Sequence, residues 1–204
     1  MEYAKGRIGT GCSHLVVAKY AAAGGVISYS EAMILARLVG INWSINQDAD
    51  VEFYADNVLA ESESGGFHDG NVRLTVDGLF DEASRFISGQ GEPEQVTYGE
   101  IIVSMTKYSA KAVAPYIAIG FIRKSVSNRK TVFTPWILPK TKFKPAGMDA
   151  KTQERSVSYQ IQELEAVIHR ADDDGENWIL ELGMYTTEAE AIAALNAVMG
   201  LEGT

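Results

Sequence analysis

The feature that most constrains the fold is a long apolar stretch at residues 114–139, APYIAIGFIRKSVSNRKTVFTPWILP. Its pattern indicates two strands around a basic turn. Along the first strand, Ile117, Ile119 and Phe121 alternate with residues that are also mostly apolar, so neither face suits contact with water. Such a hairpin needs cover on both sides, either from a second sheet and a helix of the same domain or from a neighbouring subunit. We expect one small meander to be unable to bury these three side chains, which makes them candidate subunit contacts.

The composition is that of a folded domain. The chain has 204 residues, of which 46% are hydrophobic and 22% charged, as is usual for globular proteins. We expect one domain over residues 1–204, with a flexible amino-terminal segment at about residues 1–12 and a short tail at residues 201–204. No apolar run reaches the roughly 20 residues that span a bilayer, and no signal peptide is recognisable, so we expect a cytoplasmic protein without a membrane partner. Cys12 is the only cysteine, which excludes an internal disulfide.

The net charge of −9 conceals an uneven distribution along the chain. Residues 107–155 contain 11 of the 18 Lys and Arg but only Asp149 and Glu154 as acidic residues, so this segment carries +9 and the remainder −18. If the two parts occupy different surfaces, copies of the chain attract one another head to tail. The alternative is that the fold interleaves the charges.

Residues 41–53 give the clearest strand signal. Their odd positions are apolar apart from Gln47, while their even positions are polar and include Asp48, Asp50 and Glu52. We therefore expect one continuous strand whose odd positions meet the core and whose even positions form an acidic face. No Lys or Arg interrupts the sequence from residue 38 to residue 72, which strengthens that acidic character.

The remaining periodicity predicts a mainly β fold with one or two flanking helices. Further strands are expected at residues 72–76, 98–107, 155–162, 163–170 and 177–185, joined as an antiparallel meander. One helix is expected at residues 79–88. Another starts at Thr187, which forms a capping-box pattern with Glu190, and ends at Gly200. Residues 30–39 also have the composition of a helix with a serine cap.

A family resemblance rests on four segments in a fixed order. Besides residues 114–139, they are DVEFYADN at residues 50–57, NVRLTVDGL at residues 71–79 and PKTKF at residues 139–143. Together they resemble the major tail proteins of bacteriophages with long non-contractile tails, in particular the phi13-type tail tube proteins. The resemblance extends from about residue 5 to about residue 200. None of the segments is a catalytic signature, and the strength of the resemblance lies in their order and coverage.

The resemblance implies an antiparallel β-sandwich or barrel of the tail-tube type, with an extended lead-in rather than a helix at residues 30–39. It also implies a structural virion protein that forms hexameric rings, which stack into the tube through which phage DNA leaves the head. The implied partners are further copies of the chain, the tape-measure, terminator and distal tail proteins, and DNA that passes without sequence-specific binding. The implied location is the virion tail, after assembly in the host cytoplasm.

Two sets of charged residues are candidates for roles in such a tube. Asp48, Asp50 and Glu52 are candidates for the lumen, because an acidic lumen lets DNA slide whereas a basic one binds its phosphates; the alternative is a solubilising outer face. The candidate subunit or ring contacts in the basic turn are Arg123, Lys124, Arg129 and Lys130. A solvated turn or a phosphate-binding surface are the alternatives for these four residues.

Motifs for chemistry are incomplete. Asp172, Asp174, Gly175 and Glu181 match positions of a calcium-binding EF-hand loop, but Arg170 stands where the first carboxylate is required, so an exposed turn is expected there. The three histidines lack metal-ligand spacing, and no nucleophile and base pattern is evident. We expect no enzymatic activity, no cofactor and no metal.

Two other function classes stay open. One is a related ring or tube protein, such as a tail terminator or a secretion-system tube subunit, which would share the fold. The other is a monomeric β-sandwich that binds carbohydrate or peptide. Electron microscopy of the purified protein distinguishes them, because it would show long tubes, isolated rings or small single particles.

Overall fold

The computed structural model describes residues 6–145, 147 and 161–201, and within them the chain forms twelve strands and two helices. The strands are β1 Ile8–Ala23, β2 Val26–Ala36, β3 Leu38–Gln47, β4 Val51–Ala55, β5 Val58–Glu63, β6 Phe67–Val76, β7 Glu94–Tyr98, β8 Ile101–Met105, β9 Ile117–Ser127, β10 Lys130–Phe143, β11 Gln162–Ile168 and β12 Leu180–Glu181. The helices are α1 Asp81–Ser88 and α2 Glu188–Met199. The protein is mainly β, as the sequence predicts.

One large antiparallel sheet forms the body of the molecule. Its strands follow the order β2, β1, β9, β10, β11, β6 and β3, and the short β12 pairs with part of β10. The predicted central hairpin is present, because β9 and β10 pair from Lys130 and Ser127 at the turn to Thr141 and Ile117 at the far end. Two further hairpins, β4–β5 and β7–β8, form separate two-stranded sheets.

The sheet curls so that its two edge strands are joined end to end. β2 and β3 lie at opposite ends of the strand order, yet only Arg37 separates them in the chain. The Arg37 amide donates to Oδ1 of Asp77 at 3.1 Å, and the Asp77 amide donates to the Arg37 carbonyl at 3.2 Å. A sheet whose first and last strands are tied by one residue must fold over on itself, which agrees with the β-sandwich that the resemblance implies.

The core inside the curled sheet takes side chains from every one of its seven principal strands. Fully buried examples are Leu15 of β1, Leu35 of β2, Leu74 of β6 and Leu164 of β11. Trp43 of β3 packs against the same core, and α1 contributes Ala83 and Ile87 from one end. This cluster is the principal hydrophobic core.

The outer face of β1, β9 and β10 is covered by α2. Ala118, Ile122 and Ile137 pack there against Leu195 and Met199 of the helix, and all five side chains are fully buried. The predicted capping box starts this helix, because the Glu190 amide donates to Oγ1 of Thr187 at 3.3 Å. Gly200, with a φ of 73°, ends it.

The expectation that the central hairpin needs a neighbouring subunit to bury it is wrong. Ile117, Ile119 and Phe121 are 0%, 0% and 1% exposed within the single chain. They face the principal core, while the alternate residues of β9 face α2. The cover on both sides therefore comes from the chain's own sheet and helix, and these three residues have no surface with which to contact another copy.

Three predicted segments differ from the observed elements. Residues 30–39 are not helical but lie in β2 and β3 on either side of Arg37, as the resemblance implies. Residues 98–107 form no single strand, because Gly99, with a φ of 64°, turns the chain between β7 and β8. Residues 8–12, within the segment expected to be flexible, belong to β1 and pair with β9.

Two other predictions concern the carboxyl-terminal part. The strand expected at residues 163–170 corresponds to β11. Of residues 177–185, only Leu180–Glu181 form a strand, and Tyr185 adds a single bridge to Phe133. The strand expected at residues 155–162 lies almost entirely outside the described residues.

Candidate assembly surfaces

The β4–β5 hairpin, residues 51–63, projects from the sheet and is here called the acidic arm. All residues of its two strands are exposed. Its turn is made by Asp56 and Asn57, whose φ angles of 50° and 63° suit the two-residue turn of a hairpin. Large apolar side chains lie in water on this arm: Val51, Phe53, Tyr54, Val58 and Leu59.

The base of the acidic arm explains why the predicted strand at residues 41–53 stops early. β3 ends at Gln47, and the Asp48 amide donates to the Gly66 carbonyl at 2.9 Å. The Gly65 amide donates to Oδ1 of Asp50 at 3.0 Å. These bonds close the neck of the arm, so the chain leaves the sheet after Gln47 and a second strand begins at Val51.

The three candidate lumen residues are exposed but do not form the predicted row along one strand. Oδ1 of Asp48 lies 2.8 Å from Nδ1 of His68, and Asp50 accepts the bond from Gly65 at the neck. Glu52 lies in β4, where its Oε2 accepts a hydrogen bond from the Tyr54 hydroxyl at 2.7 Å. Asp48 and Asp50 thus shape the neck, whereas Glu52 belongs to the acidic arm. Their position relative to a lumen stays a prediction.

The β7–β8 hairpin, residues 94–105, is a second projecting element and is here called the second arm. It pairs with no other strand among the described residues, and Tyr98, Ile101 and Ile102 are exposed near its turn. An ion pair between Glu94 and Lys107 lies at its base. The molecule therefore has two hairpins whose apolar side chains contribute to no core.

The turn end of β9–β10, here called the basic end, contains the four predicted basic contact residues. Asn128 and Arg129 form the turn with φ angles of 51° and 63°, and Arg129 is exposed beside Lys130. Lys124 lies with its Nζ 5.9 Å from the centre of the Phe133 ring. Arg123 is partly buried, and its guanidinium lies beside Gly9 of β1.

The cations of the basic end differ from most others in the molecule. Arg123, Lys124, Arg129 and Lys130 form no salt bridge with any carboxylate of the described residues. Elsewhere, Arg73 lies 2.7 Å from Glu165, and Lys144 lies 3.2 Å from the same carboxylate. Hydrogen bonds from Arg73 and Lys144 hold the pKa of Glu165 below its ordinary value. The fold thus neutralises charges on the outer face of β6 and β11 but leaves them unmatched at the basic end.

The turn at residues 172–177, which resembles part of a calcium loop, is organised by its own hydrogen bonds. The Asn177 amide donates to Oδ1 of Asp173 at 2.9 Å, and Nζ of Lys140 lies 2.8 Å from Oδ2 of Asp172. Arg170 pairs with Glu176 at 2.9 Å. Within the part of the chain that the structure describes, no three His, Cys, Asp or Glu residues converge as metal ligands.

The described residues form several open surface grooves. One lies between the end of α1 and residues 108–114, where Ile87, Val113 and Phe143 line it together with serine hydroxyls and Lys142. No acidic or histidine side chain is among its described lining residues. Among the residues that the structure describes, no helix has the length and apolar character needed to cross a membrane.

Comparison with family models and curated proteins assigns the chain to no family. No protein-family model matches the chain, and no curated protein matches it either.

Sequence reasoning located the basic end but missed the two projecting arms. The acidic arm follows the same period-two pattern as β3, so Val51 and Phe53 were expected in the core. The signal that marks the arm is the Asp56–Asn57 pair, which suits a tight turn and stands between apolar residues in a stretch free of Lys and Arg. For the second arm the signal is Gly99, which interrupts an otherwise strand-like run.

Proposed function

We propose that the protein is a structural subunit of a phage-type tail tube, in which copies form rings and the rings stack around a channel for DNA. The observation that carries the proposal is the acidic arm, whose strands are exposed throughout and still bear large apolar side chains such as Phe53, which is 62% exposed. An isolated two-stranded hairpin is marginally stable in water. Contact with neighbouring copies supplies the cover that the arm lacks within its own chain.

The second arm and the charge distribution support the same proposal. Ile101 and Ile102 on the second arm are also exposed, so apolar surface projects at two places. The basic end and the acidic arm are opposite in charge and belong to different strands. A subunit that carries two different surfaces of complementary charge can bind further copies of itself.

In this proposal the protein acts mechanically and electrostatically. The curled sheet forms the wall, and exposed carboxylates such as Glu52 repel the phosphates of DNA in the lumen. The tape-measure, terminator and distal tail proteins complete the assembly, and the virion tail is its location. Hexameric rings are part of the proposal because the sequence resemblance implies them.

The test begins with the purified protein and one arm-deleted variant. Because the Asp48 amide bonds the Gly66 carbonyl, the neck can be closed by replacing residues 49–65 with Asn-Gly, a two-residue hairpin turn. We expect the complete chain to form tubes in electron micrographs and to sediment as large particles. The arm-deleted variant should stay a folded monomer that unfolds cooperatively and keeps a β-type far-ultraviolet circular dichroism spectrum.

Other outcomes would assign the protein to another class. Isolated rings that do not stack would favour a tail terminator over a tube subunit. A complete chain that sediments as a compact monomer at high concentration would reject self-assembly and favour a monomeric binding module.

A further inference from the structure

We infer that the acidic arm of one copy lies against the basic end of the next copy, in a head-to-tail contact that rests on the proposed tube function. The pairing of the arm defines the face that makes this contact. Val51 lies opposite Glu63 and Phe53 lies opposite Glu61, so these four side chains share one face. That face has an apolar row from β4 beside an acidic row from β5.

The basic end has a face of the same design with the opposite charge. Lys124 lies opposite Phe133, and Val126 lies opposite Thr131 and pairs on its other side with Ile8. Residues two apart on a strand share a face, so Lys124, Val126, Phe133 and Ile8 lie together. Phe133 is partly buried against the cluster beneath α2, whereas Val126 and Ile8 lie outside that cluster and Ile8 is 70% exposed.

The two faces match in polarity and in charge. Glu61 and Glu63 form no salt bridge with a described residue, and the same holds for Lys124. Contact between the faces brings these groups to the rim and places Phe53 in the apolar centre. Aromatic residues at the centre and charges at the rim are the usual arrangement of a protein interface.

The contact is heterologous, because it joins two different surfaces of the chain, and it can therefore repeat from copy to copy. The acidic arm connects β3 to β6, whereas the basic end is formed by β1, β9 and β10. When the arm of one copy occupies the basic end of another, one arm and one basic end remain open. Such a contact repeats from copy to copy and closes into a ring or continues as a helical array.

A charge-exchange experiment tests the contact. The arm variant carries Glu61→Lys and Glu63→Lys, and the end variant carries Lys124→Glu. Lys130 is left unchanged because it pairs with Ser127 on the opposite face, and Arg129 because its φ of 63° constrains the turn. In about 0.1 M salt, where surface charges still interact, each variant alone should need roughly tenfold more protein to assemble. An equimolar mixture should assemble as the wild type does, because each variant's arm then meets a basic end of opposite charge.

Matched single reversals control for net charge. Glu82→Lys changes an exposed carboxylate on α1, and Lys111→Glu changes an exposed cation outside the basic end, so both should assemble as the wild type does. Normal assembly of the end variant alone, or a mixture that stays unassembled, would overturn the arm-to-end contact.

The outcomes separate this inference from the proposed function. Wild-type tubes that persist in both variants would reject the contact and leave the tube proposal standing. Rescue in the mixture with fibres that lack a lumen would support the contact and reject the tube. A wild-type chain that stays monomeric at every concentration would reject both.

Discussion

At the scale of single residues, Lys140 joins three parts of the molecule. Its Nζ lies 2.8 Å from Oδ2 of Asp172 and 4.8 Å from the centre of the Tyr116 ring. The Tyr20 hydroxyl donates to the same carboxylate at 3.0 Å and accepts the Asp172 amide at 2.7 Å. These contacts fasten the turn after β11 to β1 and β10, and the bonds from Lys140 and Tyr20 hold the pKa of Asp172 below its ordinary value of 3.8.

The first prediction concerns the pH dependence of stability at Asp172. Because its pKa is lower in the folded state, the unfolded chain binds the proton more tightly, and the stability contributed is present above pH 3.8 and lost as the pH falls. Asp172→Asn should lower the free energy of unfolding at neutral pH and flatten its decline from about pH 5 to about pH 3. Urea denaturation across this range measures both, with Asp174→Asn as the control. Parallel pH curves for wild type and Asp172→Asn would contradict the assignment.

The second prediction separates core residues from assembly residues. Ile119 is fully buried beneath the sheet, so Ile119→Ala should cost about 2–5 kcal/mol of unfolding free energy. Ile102 on the second arm is exposed, and Ile102→Ala should change the unfolding free energy by less than about 0.5 kcal/mol. Denaturation at concentrations where the chain is monomeric measures both values. Equal costs at the two positions would mean that the assignment of core and arm is wrong.

At the scale of elements, the close fit of α2 on the sheet explains how the central hairpin is covered. Gly120 of β9 lies beneath the helix, and a Cβ added there would come within 2.9 Å of Cδ1 of Leu195. The helix can therefore approach β9 closely only because this position has no side chain. A single chain thereby covers both faces of a hairpin that the sequence suggested needs a second subunit.

The third prediction tests this fit. Gly120→Val should push α2 away from β9 and cost about 1–3 kcal/mol of unfolding free energy, as overpacking does elsewhere. Amide hydrogen exchange in α2 should accelerate more than exchange in β6, which is remote from the helix. Gly91→Val is the matched control because no atom lies within 4 Å of a Cβ added there. Unchanged exchange in α2 would show that the helix does not depend on this contact.

At the scale of the whole molecule, local sequence patterns predicted the strands well, but they did not predict which elements cover each strand. Alternation placed Ile41, Trp43 and Ile45 against the core, which is confirmed. The same alternation continues through Val51 and Phe53, yet these are exposed because the chain leaves the sheet at the neck of the acidic arm. Alternation with a period of two residues identifies which side chains share a face of a strand, but it does not show which element covers that face.

Contacts between segments that are distant in the sequence could not be predicted from local patterns. The two-sided apolar pattern of β9 showed that cover was needed, but its source, α2, lies near the other end of the chain. For the same reason, only part of the candidate site, the clustering of its basic residues, could be predicted from the sequence. The basic residues stand close together in sequence, so their common surface follows from one turn, whereas their lack of salt bridges depends on where β6, β11 and their carboxylates lie.

The fourth prediction concerns the proposed lumen. Asp48 and Asp50 shape the neck of the acidic arm, so substituting them would confuse lumen charge with arm structure. Glu52 lies on β4 next to both Val51 and Phe53, and so on the opposite face from the inferred contact, which makes it the cleaner probe. Glu52→Lys should leave tubes intact and make them retain short duplex DNA at low salt, with release as salt rises. Co-sedimentation of DNA with tubes measures this, and Glu52→Gln controls for loss of the carboxylate; no retention by the lysine variant would place Glu52 outside the lumen.

The pairing of β1 with β9 also orders events during synthesis. Residues 8–23 stay without their central partner until residues 117–127 have left the ribosome, and such distant pairing makes folding slow. The acidic arm, by contrast, is a local hairpin that can form early. Its inferred docking face needs Ile8 of β1 together with β9 and β10, so it exists only after β1 has paired with β9. A nascent chain therefore has an arm but no docking face, so polymerisation begins only with completely folded subunits.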